Sequence, residues 1–285
     1  MIQKPCVWVT GAGGLIGNYL VRNPPRSLSD LRIVGLTRQQ LDLSDFAAVR
    51  QQFARDNPRL VIHCAALSKS PACQAQPELA WKINVELTRL LADLAADLPL
   101  LLFSSDLVFD GRQGFYDESA AVNPLSIYAE TKVVAENVVL SNPRHLVIRT
   151  SLNGGESPSG DRGFNEEMRN AWAAGRTLKL FTDEYRCPIA ARVTAKAAWE
   201  LVLNGEPGLY HLAGAERLSR WEIGQLLAAR WPEANPRIEP GSLTGYVGAP
   251  RPPDTSLDCR KAQRLLSFPL PKFSEWLRTH PADKF

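Results

Sequence analysis

Val7-Trp8-Val9-Thr10-Gly11-Ala12-Gly13-Gly14-Leu15-Ile16-Gly17 is the stretch that decides the fold. A short apolar, β-branched run from Pro5 to Thr10 reads as a strand, and Leu20 and Val21 carry a helical pattern beyond the glycines. The glycines at 11, 14 and 17 let the backbone turn tightly, admit a diphosphate to the helix N-terminus, and let helix and strand pack closely. A strand, a glycine turn and a helix at the head of an alternating β/α chain predict a dinucleotide-binding fold, with Gly11, Gly14, Leu15, Ile16 and Gly17 at the cofactor.

Outward from there the alternation continues. The second strand, Leu31 to Leu36, delivers Thr37 and Arg38 to the place where such folds usually offer an acid to the adenosine ribose. No Asp or Glu stands there, and an arginine can pair with a 2′-phosphate, so NADP(H) is expected in preference to NAD(H). Asp42 and Leu43 are suited to the adenine, after which Ser44 is expected to cap a helix running through Phe53. The third strand, Leu60 to His63, ends in Cys64-Ala65-Ala66, small residues that let backbone pass close to a cofactor. His63 reads as a packed core histidine. A helix is expected from about Pro77 to Asp97, with Asn84 more a structural than a catalytic group. The fourth strand, Pro99 to Phe103, is apolar throughout, as a buried central strand should be. It leads to Ser104-Ser105-Asp106, where open α/β sheets place ligands.

The chemistry concentrates in Ser126-Ile127-Tyr128-Ala129-Glu130-Thr131-Lys132. Ser126 is a natural N-cap for a helix marked by Ile127, Val133, Val134, Val138 and Val139, and Tyr128 and Lys132 fall one turn apart on one face. A cation beside a phenol favours phenolate, lowering a pKa of about 10 and making the tyrosine a usable acid or base. Ser105 and Tyr128 are placed to converge on one substrate oxygen.

Composition sets the class. The 285 residues suffice for one large and one small domain, and 45% hydrophobic and 22% charged residues are ordinary for a globular protein. A net charge of +3 with scattered Lys and Arg does not favour a nucleic-acid partner and suits a small anionic ligand. The five cysteines, odd in number and without metal-ligand spacing, are expected as reduced core thiols, with no metal. No apolar run approaches the roughly 18 residues of a membrane span and no export signal is apparent, so a cytoplasmic location is expected.

Beyond Thr150 the pattern changes. Asn153 to Gly163 reads as a flexible loop over a ligand, followed by a helix near Phe164 to Ala174 and a strand from Leu178 to Phe181. Arg186 either clamps a diphosphate or pairs with Asp183 or Glu184. Ser219 caps a helix to about Arg230, and two short helices close the chain. The expected architecture is α/β: a Rossmann-type, doubly wound parallel sheet over 1–151, rejoined by about 189–214, with a smaller discontinuous substrate-binding domain from 152–188 and 215–285.

Thr10-Gly-x-x-Gly-x-x-Gly17, Ala65-Ala66, Asn84-Val85, Ser105 and Tyr128-x-x-x-Lys132, in this order, resemble the extended short-chain dehydrogenase/reductase superfamily. Ser104 to Gly111, Asn123 to Tyr128, Val147 to Thr150 and Arg251-Pro252-x-x-x-Ser-Leu-Asp258 resemble the dTDP-4-dehydrorhamnose reductase family within it. The resemblance implies hydride transfer from NADPH to the carbonyl of a 4-keto nucleotide sugar. Tyr128 would be the proton donor, Lys132 would bind the nicotinamide ribose and depress the phenol pKa, and Ser105 would hold the reacting oxygen. It further implies Ser104, Tyr128 and Lys132 near the cofactor and Ser105, Asp106, Leu152 and Arg186 near the sugar nucleotide. A homodimer is allowed, and neither nucleic acid nor membrane is expected as a partner. Leu107 replaces the glutamate of related dehydratases, which ranks elimination low, and Leu152 replaces the aromatic that rhamnose-forming enzymes set against the sugar. The alternatives are a nucleotide-sugar epimerase with tightly held NAD(P), and a non-catalytic NADP-binding subunit like the β subunit of methionine adenosyltransferase.

Overall fold

In the computed structural model, which describes residues 4–203 and 206–283, strand β1 (Cys6–Thr10) is buried along its whole length. It lies parallel between β2 (Arg32–Leu36) and β3 (Leu60–His63), with Val9 opposite both Gly35 and Ile62. Adding β4 (Leu100–Ser105), β5 (Leu146–Thr150) and β6 (Gly208–Leu212) gives a six-stranded parallel sheet in the order β2-β1-β3-β4-β5-β6. The chain leaves β1 for one side and resumes at β3 on the other. The carboxyl ends of those two strands therefore flank the crevice in which doubly wound sheets bind ligands.

The strands alternate their side chains between two apolar layers, as a period of two requires. Val7, Val9, Leu101 and Phe103 face helices α1 (Leu15–Arg22) and α6 (Ala191–Leu203), where Leu20, Trp199 and Val202 wait. Cys6, Trp8, Leu100 and Leu102 face α2 (Phe46–Asp56), α3 (Leu87–Leu94) and α4 (Ile127–Leu140) through Val49, Phe53, Leu91 and Val139. The first layer does not stop at the sheet. It runs on into the second lobe through Phe164, Met168 and Trp172 of α5 (Phe164–Ala173), Ile223 and Leu227 of α7 (Arg220–Arg230), and Phe273 of α8 (Phe273–Thr279). That lobe is pinned by three short strand pairs: Asn153–Gly154 with Ile189–Ala190, Leu178–Phe181 with Ile238–Gly241, and Tyr185–Arg186 with Leu218–Ser219.

Three local expectations are corrected. Asp45, not Ser44, caps α2, accepting from Ala48 N at 3.0 Å, because the Asp42 carboxylate takes both the amide and the hydroxyl of Ser44. The helix expected over 77–97 is Pro77–Trp81 and Leu87–Leu94 joined by a widened π-type turn at Lys82–Glu86. There the Thr88 hydroxyl donates to Asn84 O at 2.7 Å, competing with the regular ladder. The stretch 153–163 is tethered, not a free flap. The buried Glu166 carboxylate accepts from the amides of Ser157, Arg162 and Gly163 and from the Ser157 hydroxyl, while the Asn165 amide clasps both backbone groups of Gly155.

The five cysteines are unpaired, with Cys6, Cys73 and Cys187 buried. Among the described residues, no helix is long and apolar enough to cross a membrane and no cluster of His, Cys, Asp or Glu could hold a metal ion.

Candidate active site

Ser126 caps α4, its hydroxyl accepting from Ala129 N at 3.3 Å. The helix does not bury the valine stripe expected of it: Ile127, Val133, Val134 and Val138 are half-buried. The inward face instead carries Tyr128, Thr131, Lys132, Ala135, Glu136 and Val139, a polar row set one turn apart beneath β4. Burying so many polar groups is tolerable only because they have partners. Thr131 Oγ1 donates to Tyr128 O at 2.7 Å, and Asn84 Nδ2 donates to Thr131 Oγ1 at 3.0 Å. Asn84 also closes a two-way clasp on the Leu67 backbone, accepting at 2.8 Å and donating at 3.1 Å.

Lys132 is 2% exposed and donates from Nζ to Phe103 O at 2.6 Å. Burial lowers its pKa to about 8, against the opposing pull of Glu136 and Cys64. Glu136, one turn further, is locked to Arg149 by contacts of 3.1, 3.1 and 2.7 Å and accepts from Ser104 Oγ at 2.5 Å. The Ser104 hydroxyl, expected at the cofactor, is thus turned to Glu136.

Tyr128 behaves differently from expectation. Its phenol pKa is raised, first by burial and then by Asp106, Cys73 and Glu136, while its hydrogen bond with Ser105 pulls it down. The Lys132 ammonium is spent on the Phe103 carbonyl, and desolvation of the phenol outweighs any depression by that cation. A phenol kept protonated across the neutral range is the form a proton donor needs. Ser105, 8% exposed, donates to Asp106 Oδ1 and accepts from Leu107 N, both at 3.2 Å.

The glycine turn has the shape of a phosphate cradle. Gly11 sits at φ 68°, and a Cβ there would lie 2.7 Å from Ala65 N; one at Gly17 would lie 2.4 Å from Gly11 O. Helix α1 follows Gly14, an N-cap with no side-chain hydrogen bond, so its first amides have no capping side chain among the described residues. Leu15 is buried there and Ile16 half-buried. Arg38 stands exposed past the end of β2, with no ion pair or side-chain hydrogen bond among the described residues. Asp42 lies near it, its carboxyl held below the usual range by the Ser44 amide and hydroxyl, while Leu43 packs against the core. Cys64, Ala65 and Ala66 line the opposite side, half-buried, with the Cys64 thiol pushed up by burial.

Beneath this turn a line of donors is fully assigned by its ends. Thr88 donates to Asn84 O, so its oxygen accepts from His63 Nε2–H at 3.1 Å; Thr10 Oγ1 accepts from Ala65 N at 3.2 Å and donates to His63 Nδ1 at 2.7 Å. His63 is a neutral strut, its pKa lowered to about 3 by burial and by Lys132.

On the substrate side, Asp106 is a hub and not a free carboxylate. It accepts from Ser151 Oγ at 2.7 Å and Thr255 Oγ1 at 3.0 Å, and Arg186 Nε stands 3.9 Å away. Arg186 is likewise committed, to Glu184 at 3.1 Å and to Thr255. The pairing with Glu184 that the sequence allows for this arginine is present. Leu152 packs against the main core, and its carbonyl accepts from Ile189 N at 2.9 Å.

A family model described as the RmlD substrate binding domain matches residues 6–283. The chain belongs to the RmlD family. Its relatives include the probable low-salt glycan biosynthesis reductase Agl14 of Haloferax volcanii, 31% identical, with 76% of this chain and 77% of that protein covered. Methionine adenosyltransferase 2 subunit beta of Xenopus laevis is 28% identical over 90% of this chain and 81% of its own length. The crystal structure of the dTDP-4-dehydrorhamnose reductase from Bacillus anthracis in complex with NADP superposes with a TM-score of 0.86, at 23% identity, over 96% of this chain and 97% of that one. Within this RmlD-family site, Glu136 was open to discovery from sequence, since it continues the four-residue spacing of Tyr128 and Lys132. Its partner Arg149 sits on another element, inside the Val147 to Thr150 run that carries the family resemblance, but nothing in that run marks it as the partner of Glu136.

Proposed function

We propose that this RmlD-family protein is an NADPH-dependent reductase of a 4-keto nucleotide sugar, similar to dTDP-4-dehydrorhamnose reductase. The observation that carries the reading is the gathering of Ser105, Tyr128 and Lys132 at the carboxyl end of β4, beside the glycine cradle. The cradle, the uncapped start of α1 and the unpaired Arg38 fit an NADP dinucleotide, with Arg38 toward the 2′-phosphate. When bound, that cofactor supplies the hydride. The chain's own part is to hold the keto oxygen with the Ser105 hydroxyl and deliver a proton to it from Tyr128, whose raised pKa keeps the proton in place until charge develops on the oxygen. Lys132 sits behind, held by Phe103 O and Glu136, and serves to orient the cofactor ribose.

The test is loss of NADPH absorbance with a panel of 4-keto nucleotide sugars. Arg38→Ala is expected to raise KM for NADPH about tenfold or more while leaving that for NADH unchanged. A panel without turnover would overturn the reading, and equal loss for both cofactors would remove Arg38 from the 2′-phosphate.

The Lys132 ammonium also sets a pH limit. With a native pKa of about 8, the cation is present below that pH and lost above it, so kcat should fall as pH rises through about 8. For stability the sign is opposite: between about 8 and the ordinary lysine value the unfolded chain holds a proton the native one lacks, so this group's contribution to stability rises with pH there. A kcat profile flat to pH 10 would exclude the role.

The extent of the match to the methionine adenosyltransferase subunit favours a second reading, a nucleotide-binding regulatory chain. It predicts NADP binding without turnover on any sugar of the panel, which the same assay decides.

A further inference from the structure

Behind Tyr128 three charged side chains are buried together: Lys132 and Glu136 on α4 and Arg149 on β5. An ion pair so deep gains little in stability over packed apolar residues of the same volume. Its position is what distinguishes it. Consecutive turns of α4 grip consecutive residues of β4: Lys132 Nζ donates to Phe103 O at 2.6 Å, and Glu136 Oε1 accepts from Ser104 Oγ at 2.5 Å. Arg149 fixes the same carboxylate from β5 by contacts of 3.1, 3.1 and 2.7 Å. The Glu136 charge is therefore held in one place, four residues from Lys132 on the inward face of the helix.

The other groups around Lys132 supply it with no anion. Tyr128 on its own helix and Cys64 beyond β3 are pushed up by burial and keep their protons, and His63 on β3 is neutral, its pKa lowered to about 3. On β5 and β6 stand Arg149 and, against it, His211. Asp106, the other buried carboxylate nearby, faces Tyr128 and Arg186. Among the described residues Glu136 is thus the negative charge left to oppose the desolvation of the ammonium.

We infer that Glu136 is a positioning residue for the reaction: clamped by Arg149 and Ser104, it is the fixed counter-charge that keeps Lys132 an ammonium where the nicotinamide ribose is oriented. The inference rests on the reductase reading above and deepens it. Glu136 acts through Lys132 and the end of β4.

The test compares the pH dependence of kcat in wild type, Glu136→Gln and Glu136→Asp, with NADPH and keto sugar saturating. Glutamine keeps the shape and an acceptor for Ser104 but not the charge. Its high-pH limb is expected about one unit below that of wild type, a loss of about fivefold at pH 8 and about tenfold at pH 9, with the gap closing toward pH 6. Glu136→Asp, which keeps the charge, should hold the wild-type limb. Because Glu136→Gln leaves Arg149 unanswered and weakens the fold, the double variant Glu136→Gln with Arg149→Met is carried alongside and should show the same lowered limb. A loss that is equal at every pH, as a merely structural role predicts, overturns the inference. Independently of turnover, the Lys132 Nζ resonance of 15N-lysine-labelled protein, identified by its absence in Lys132→Met, should titrate about one unit lower in both glutamine variants. An Nζ that titrates alike in wild type and Glu136→Gln overturns the inference as well. A lowered titration with no keto sugar reduced would support the counter-charge and sink the reductase reading. Reduction with an unmoved titration would do the reverse.

Discussion

Tyr128→Phe is expected to cut turnover at least about a hundredfold while NADPH still binds, a loss of about 2.7 kcal/mol in transition-state stabilisation. The substitution is clean for structural reasons. Tyr128 is 9% exposed and packs in a small apolar cluster with Cys73 and Ala80, which a phenyl ring fills equally well. What disappears is one hydroxyl beside Ser105 and, under the proposed function, the proton that the developing alkoxide would take up. Steady-state rates and NADPH fluorescence titration on the same preparation separate chemistry from binding. Unchanged turnover would remove Tyr128 from the mechanism, and a parallel loss of NADPH affinity would make it a binding group instead.

The second large effect is on stability. Arg149→Ala should destabilise the fold by about 3–5 kcal/mol, because among the described residues it leaves the Glu136 carboxylate, 3% exposed, with no close cation other than Lys132. Arg149 also lies over the Phe109 ring at 5.1 Å and against His211 at 3.4 Å, so packing is lost along with charge. Removing both charges together, as Glu136→Gln with Arg149→Met, should recover much of the loss, since it is the uncompensated charge and not the missing pair that is costly. Denaturant midpoints of the single and double variants decide the matter. A single variant within about 1 kcal/mol of wild type would show that Glu136 finds water or another partner.

Much of the architecture was legible because it rests on local chemistry. The glycines at 11, 14 and 17, the apolar strands at 6–10 and 100–103, and the caps at Ser126 and Ser219 each announce themselves within a few residues. The misreadings share a cause, which is that side chains answered to distant or competing partners. Ser44 lost the cap to Asp45 because Asp42 reached it first. The valines of α4 suggested the buried face, yet Tyr128, Lys132 and Glu136 are the ones driven inward, because Phe103 O, Ser104 and Arg149 meet them there. Asp106 and Arg186, which the resemblance sets near a sugar nucleotide, also have protein partners that no local pattern shows: Ser151, Thr255 and Glu184.

The last strand of the sheet, β6, arrives after the chain has already built part of the other lobe, and one apolar layer spans both. Residues up to 150 supply only five of the six strands, so a chain cut there would leave the β5 border with N–H and C=O groups open to another strand. With a sixth strand that comes late in the chain and one apolar layer common to both lobes, neither lobe is expected to fold in isolation, and the two should melt in one transition.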